Sequence, residues 1–310
     1  MEPIIAPIST ELLKAELTPA KKLRDTNKSN NEIYIVNHHD SPNVMKEIGR
    51  LREDAFRDSG GGSGLSMDID DFDTMENPYQ QLIVWDPEAE KILGGYRYIL
   101  GSDIKLDENG QPMLATSHMF HFSEKFIKEY LPYTIELGRS FVAPEYQSRQ
   151  AGAKALFALD NLWDGIGGLV ATDPSVKYLS GKVTIYSSSP ELSRKAMVYY
   201  LDKCFGDREG LITSKNPELW TEEQGKMFEE MFTGADYKEN YQILNNYVKS
   251  FGDVIPPLIH SYIGLSSTMK TFGTTFDPDF GDCYDTAMII TIDDIYQDKK
   301  DRYINSFFNN

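Results

Sequence analysis

Two charged residues stand inside an apolar run. Thr134–Val142 reads TIELGRSFV, with Glu136 and Arg139 three positions apart. The run alternates and is β-branched early, which predicts a strand. A charge in a core strand is costly unless it is paired. The two are therefore either a buried ion pair with no chemical role or groups placed for chemistry. Ser140 follows Arg139, but no G-x-S-x-G elbow surrounds it, which argues against a serine nucleophile. His118 and His121 have a ligand-like spacing, yet no third ligand is evident nearby in sequence, so no metal is expected. Asp58–Asp73, DSGGGSGLSMDIDDFD, concentrates glycine and aspartate. It matches no P-loop, no dinucleotide fingerprint and no EF-hand spacing. It reads as a mobile surface loop or as a lid whose Asp71 or Asp73 pairs an inward-pointing arginine.

The elements that must position these residues follow from periodicity. Ala151–Ile166 carries apolar residues at helical spacing after the strand, and Gly167-Gly168 is expected to end that helix. Upstream, Thr10–Leu17 is a short helix and KKLRDTNKSNN a polar link. Glu32–Asn37 is a strand, Pro42–Arg57 an amphipathic helix, and Gln80–Asp86 with Lys91–Leu100 a hairpin whose second strand holds Arg97 among aromatics. Gly94-Gly95 marks a bulge or a close backbone approach. Met113–Leu131 is rich in Met, Phe and Leu, including Met119 and Phe120, as ordinary core or as the wall of an apolar tunnel. Downstream come a strand at Lys177–Tyr186, a helix from Pro190 to Phe205 capped by Ser189, a polar loop at 207–221, and helices at Glu222–Phe232 and Lys238–Ser250. A final strand spans Thr286–Ile292, before a helical, exposed tail.

The chain has 310 residues and a formal net charge of −17. Such acidity argues against nucleic-acid binding, which depends on phosphate neutralisation, and against an anionic membrane surface as main partner. Two cysteines without CxxC spacing argue against a disulfide framework. No apolar run has the length of a membrane span, and the N-terminus lacks signal-peptide features. A cytoplasmic protein is expected, with peripheral contact at the inner membrane left open.

The residues carry a resemblance. ELGRSFV, the loop with Arg149-Gln150-Ala151-Gly152, and the long helix behind it resemble the GNAT N-acyltransferases. More narrowly they are similar to the branch that transfers fatty acyl groups from acyl carrier protein to an amino acid: the ornithine-lipid and glycine-lipid N-acyltransferases and, more distantly, the acyl-homoserine-lactone synthases. LREDAF resembles the Arg-x-x-x-Phe of the lactone synthases at Arg52 and Phe56. Pro256, Pro257, Leu258, Tyr262 and Leu265, then Asp279 and Phe280, resemble a segment of the ornithine-lipid enzymes. The resemblance covers about residues 33–292.

It implies an α/β GNAT fold, a mixed central sheet with two splayed parallel strands flanked by helices. The expected organisation is an arm at 1–31, a core at 32–205 and an extension at 206–310 completing the same domain. The implied activity is transfer of a long, including 3-hydroxy, acyl chain from the phosphopantetheine of acyl carrier protein, or from acyl-CoA, to glycine or ornithine. No permanently bound cofactor is implied. Glu136 is the candidate general base, the backbone of Phe141 or Val142 the candidate oxyanion donor, and Arg139 a clamp to Asp71 or Asp73. Arg149, Gly152 and Lys154 approximate the family's phosphate-binding loop, with Lys154 in place of a small residue. Arg52, Phe56, Asp71, Asp73, Arg97, Met119 and Phe120 are the candidate substrate-side residues. A patch drawn from Arg149, Lys154, Lys177, Lys182, Arg194 and Lys195 could dock an acidic carrier. An acetyl-CoA-dependent GNAT enzyme and a non-catalytic acyl-binding protein of this fold are the alternatives. A glycerolipid O-acyltransferase is disfavoured, because none of His38, His39, His118, His121 and His260 begins an H-x₄-D pair.

Overall fold

The computed structural model describes residues 1–147 and 153–309. In chain order these form α1 (Thr10–Glu16), β1 (Lys22–Asp25), β2 (Glu32–Val36), α2 (Pro42–Asp58), α3 (Asp71–Thr74), β3 (Gln80–Asp86), β4 (Lys91–Leu100) and β5 (Phe120–Phe122). Next come β6 (Thr134–Val142), α4 (Ala153–Thr172), β7 (Tyr178–Ile185), α5 (Glu191–Phe205) and β8 (Ile212–Ser214). Then follow α6 (Glu222–Met231), α7 (Tyr237–Ser250), α8 (Pro257–Ile263), β9 (Lys270–Asp277), β10 (Cys283–Thr291) and α9 (Gln297–Tyr303). Two compact units result. One comprises Met1–Asp103, Ile135–Val176 and Tyr296–Asn310, the other Ile104–Thr134 and Lys177–Ile295. The strands carrying Ile135–Val142 and Val183–Ile185 thus belong one to each unit.

In the first unit β1, β2, β3, β4 and β6 pair antiparallel in that order. Strand β1 lies within the segment read as a polar link. Lys22 in it pairs with Asp25 at 2.8 Å and Glu32 at 2.7 Å. The buried middles of β3 and β4 pack under α4, whose Leu162 and Ile166 are 0% and 1% exposed. Helix α4 does not stop at Gly167-Gly168 but runs on to Thr172. The glycines serve close packing instead. A Cβ on Gly167 would lie 2.1 Å from the carbonyl oxygen of Tyr303, and one on Gly168 would lie 2.9 Å from Leu23. Tyr303, in the tail read as exposed, is therefore buried.

In the second unit β7, β10 and β9 pair antiparallel in that order, and β5 pairs with β8. Strand β9 runs beside the final strand and pairs with it. Gly273 sits in its bulge with φ at +83°, which breaks the alternation that would have marked a strand. Strand β8 interrupts the expected polar loop. The cap position of α5 is Pro190 rather than Ser189. Thr221 and Gln224 close a capping box on α6, and Asp236 caps α7 through the amides of Lys238 and Glu239. Among the described residues no helix is long and apolar enough to cross a membrane.

Candidate active site

Strand β6 is bent where its charges lie. Gly95 stands opposite Phe141 and Arg97 opposite Gly138, so β6 spends one residue more than β4 over that interval. The extra residue makes a bulge, and Arg139 takes the left-handed conformation with φ at +47°. A non-glycine residue there costs roughly 1–2 kcal/mol, so the surroundings must hold it. Gly94 permits the approach of the two strands, because a Cβ on it would lie 2.5 Å from the Phe141 carbonyl oxygen.

What holds Arg139 is the acidic stretch after α2. Its Nε lies 2.9 Å from Asp68 Oδ2, and its Nη2 lies 3.6 Å from Asp70 Oδ2. Asp68 and Asp70 make these contacts, and the expected partner Asp73 lies near enough for Arg139 to help hold its carboxyl down. Asp71 is exposed in the first turn of α3, outside the cluster. Asp73 is 1% exposed and accepts from Arg52 Nη1 at 3.0 Å and from Arg97 Nη1 at 3.3 Å. Arg97 also donates to both oxygens of Asp70, at 2.8 and 2.7 Å. Gln81 completes the group, accepting from Arg52 and donating to Asp73 Oδ1 at 3.0 Å. Three guanidinium groups thus face three carboxylates. Burial alone would raise the Asp73 carboxyl, but Arg52 and Arg97 hold it down to about 2. Phe56, one turn beyond Arg52 on α2, is buried.

The Asp58–Asp73 segment is neither a free loop nor an open lid. Glu53, 0% exposed, accepts from Ser63 N at 3.0 Å, Ser63 Oγ at 2.7 Å, Gly64 N at 2.8 Å and Arg57 Nε at 2.6 Å. Farther along, Asp68 N donates to Gly49 O at 2.9 Å. Asp70 and Asp73 form a capping box across the first turn of α3.

Glu136 is buried three residues before the bulged arginine, at 4% exposure. After the bulge, Ala143 N donates to Leu93 O at 2.9 Å, toward β4. Strand alternation turns the Phe141 amide the same way and the Val142 amide to the opposite side. The Val142 carbonyl agrees, since it accepts from Gln147 Nε2 at 2.6 Å rather than from β4. Of the two candidate donors, only Val142 faces away from β4.

The other sequence candidates are placed elsewhere. Met119 and Phe120 are 4% and 1% exposed in the second unit, where Phe120 pairs with Ser214 across β5 and β8. Arg149, Gly152 and the side chain of Lys154 lie outside the described residues. Three lysines and arginines considered for docking are already engaged: Lys182 by Asp285, Arg194 by Glu218 and Lys195 by Glu191. Sequence reasoning missed Asp68, Asp70, Gln81 and Glu53. The Asp70-x-x-Asp73 spacing of a capping box was the available signal for one of them.

Comparison with known proteins bears on this geometry. Residues 51–156, which contain the cluster and the bulged strand, match the acetyltransferase (GNAT) domain family. A glycine N(alpha)-acyltransferase of Phocaeicola vulgatus is 58% identical over 307 residues, 99% of this chain and 94% of that protein. One of Bacteroides thetaiotaomicron is also 58% identical, over 99% of this chain and 91% of that protein. Two solved structures of a CoA-dependent acyl-homoserine lactone synthase, BjaI, cover 90% of each chain at 12% identity. One, with SAM and isopentyl-CoA, has a TM-score of 0.41, and the other, with MTA, has 0.40. At 58% identity along its whole length, the chain belongs to the family of these glycine N(alpha)-acyltransferases, acyltransferases of the GNAT fold.

Proposed function

We propose that the protein transfers a long, including 3-hydroxy, fatty acyl group from the phosphopantetheine thioester of acyl carrier protein to the α-amine of glycine. The acceptor rests on the names of the two relatives. The donor rests on the resemblance to carrier-dependent enzymes. A long chain is favoured energetically as well: each buried CH₂ contributes roughly 0.8 kcal/mol, so a fatty chain supplies on the order of 10 kcal/mol gross that an acetyl group lacks.

The reaction needs a neutral amine, a donor for the developing oxyanion, and both reactants at attack distance. The amine nitrogen attacks the thioester carbon. The carbonyl oxygen takes up negative charge, and the Val142 N–H donates to it. Collapse re-forms the carbonyl, breaks the C–S bond and expels the thiolate. Glu136 takes the proton lost by the amine, directly or through one water, and the thiolate gains a proton to leave as thiol.

The observation that carries the mechanism is the bulge at Arg139. It lies between the buried carboxyl of Glu136 and the amide that turns away from β4. Arg52, Arg97 and Arg139 with Asp68, Asp70 and Asp73 then form the frame that keeps the bulge in place. Lipid production would put the enzyme to work beside the inner membrane.

Incubation of purified protein with acyl carrier protein, acyl-CoA and acetyl-CoA donors against glycine, ornithine and other amino acids tests this, with products read by mass spectrometry. N-acylglycine from the carrier donor is expected. No N-acyl product with any pairing would overturn the reading, and acetyl transfer alone would favour the acetyl-CoA alternative.

A further inference from the structure

The turn between β9 and β10 gathers carboxylates in the second unit. Asp277, the last residue of β9, is 3% exposed, and its Oδ1 accepts from the Asp279 amide at 3.1 Å. Its Oδ2 lies 3.9 Å from His118 Nε2 and 3.7 Å from Lys182 Nζ. Asp285, on β10, is 0% exposed, accepts from Thr184 Oγ1 at 2.6 Å and is ion-paired with Lys182. One ammonium and the His118 imidazole therefore face two buried carboxylates, and the exposed carboxylate of Asp279 adds a third oxygen donor at the surface.

The spacing suits a cation. At 3.9 Å, His118 Nε2 and Asp277 Oδ2 are too far apart for a hydrogen bond. Two ligands each about 2.1 Å from a tetrahedral ion lie ~3.4 Å apart, so a small turn of the exposed His118 ring brings this pair into range. Asp279 brings a third oxygen, and the three ligand atoms lie within 4.8 Å of one another. His118 and Asp279 are exposed, so rotation of their side chains can close the remaining gap. The Asp279 amide holds one oxygen of Asp277, and Oδ2, which also faces Lys182, is the oxygen turned to His118, the outer-shell support that such ligands need.

We propose that His118, Asp277 and Asp279 bind a divalent metal ion of the zinc class, with one nitrogen and two oxygen ligands and an outward position for water. The mixed N/O set suits zinc or cobalt better than magnesium. The ion would clip the loop bearing His118 to the β9–β10 turn. Lys215 already fastens that loop, donating from N to Met119 O at 2.9 Å and from Nζ to Ser117 O at 2.7 Å.

The test uses full-length protein stripped with a chelator, dialysed, and titrated with Zn²⁺ by calorimetry and with Co²⁺ by visible absorption. One-to-one binding is expected, with cobalt bands of a low-coordinate N/O site. His118→Ala and Asp279→Asn change exposed positions, so both variants should fold, which circular dichroism checks. Each should weaken binding at least 10-fold, and the pair together should abolish it. Absence of saturable binding, or binding that survives the double variant, overturns the site and leaves His118 as an ion-pair partner of Asp277.

Discussion

Replacing Asp73 by Asn tests the frame around the bulged strand. The change keeps the shape of the side chain and removes one charge from a site 1% exposed. Arg52, 0% exposed, and Arg97, 3% exposed, would then share two carboxylates among three guanidinium groups. Breaking a buried pair by removing one partner costs about 3–5 kcal/mol. At roughly 2–4 °C per kcal/mol, the melting temperature should fall by about 6–20 °C. A pH signature separates this from simple misfit. The Asp73 carboxyl is held down to about 2 in the folded chain, against about 3.9 unfolded. A depressed carboxyl contributes stability that is complete above the unfolded value and lost as pH falls toward the folded one. The contribution is about 2–3 kcal/mol, present at pH 5 and above and gone by about pH 2. Calorimetric melts of both proteins at pH 7, 5 and 3 read this out. The parent should lose stability on acidification more steeply than Asp73→Asn. A variant within about 1 kcal/mol of the parent at pH 7, or with an unchanged acid slope, would refute the buried frame.

Glu136→Gln should keep the melting temperature and lower kcat by about 10²–10⁴, the range for a lost general base; turnover within threefold of the parent removes Glu136 as base. Gly167→Ala places a methyl group 2.1 Å from the Tyr303 carbonyl oxygen, so overpacking should cost about 1–3 kcal/mol and speed proteolysis of the α9 tail; an unchanged cleavage pattern would contradict that contact. Burial, aided by nearby carboxylates, pushes the Cys283 thiol up to about 12 and the Cys204 thiol up to about 11. Alkylation of native protein at pH 8 should therefore run roughly 100-fold or more slower than that of free cysteine, with both sites reacting in urea; rapid labelling of either in the native state counts against its burial.

The contrast between what periodicity reveals and what it hides is plain around β6. The strand itself, the β3–β4 hairpin and helix α2 follow from alternation and helical spacing, because each buries one face and the pattern is local. The partner of Arg139 does not. A flat strand puts Glu136 and Arg139 on opposite faces, and only the bulge, a consequence of β4–β6 register, decides where the arginine turns. It turns to Asp68 and Asp70. Asp73, in the turn of α3, meets Arg52 and Arg97. Gly167-Gly168 misleads for the same reason. A glycine pair after an apolar helix usually signals a terminus, but here the missing side chains admit Tyr303 and Leu23, residues more than a hundred positions away. The acidic segment that pairs with Arg139 lies before β3, in a stretch whose glycines and serines look like surface loop. What reads as loose chain is anchored by Glu53 and Asp68. The charge inside the strand is supportable because that loop is not loose.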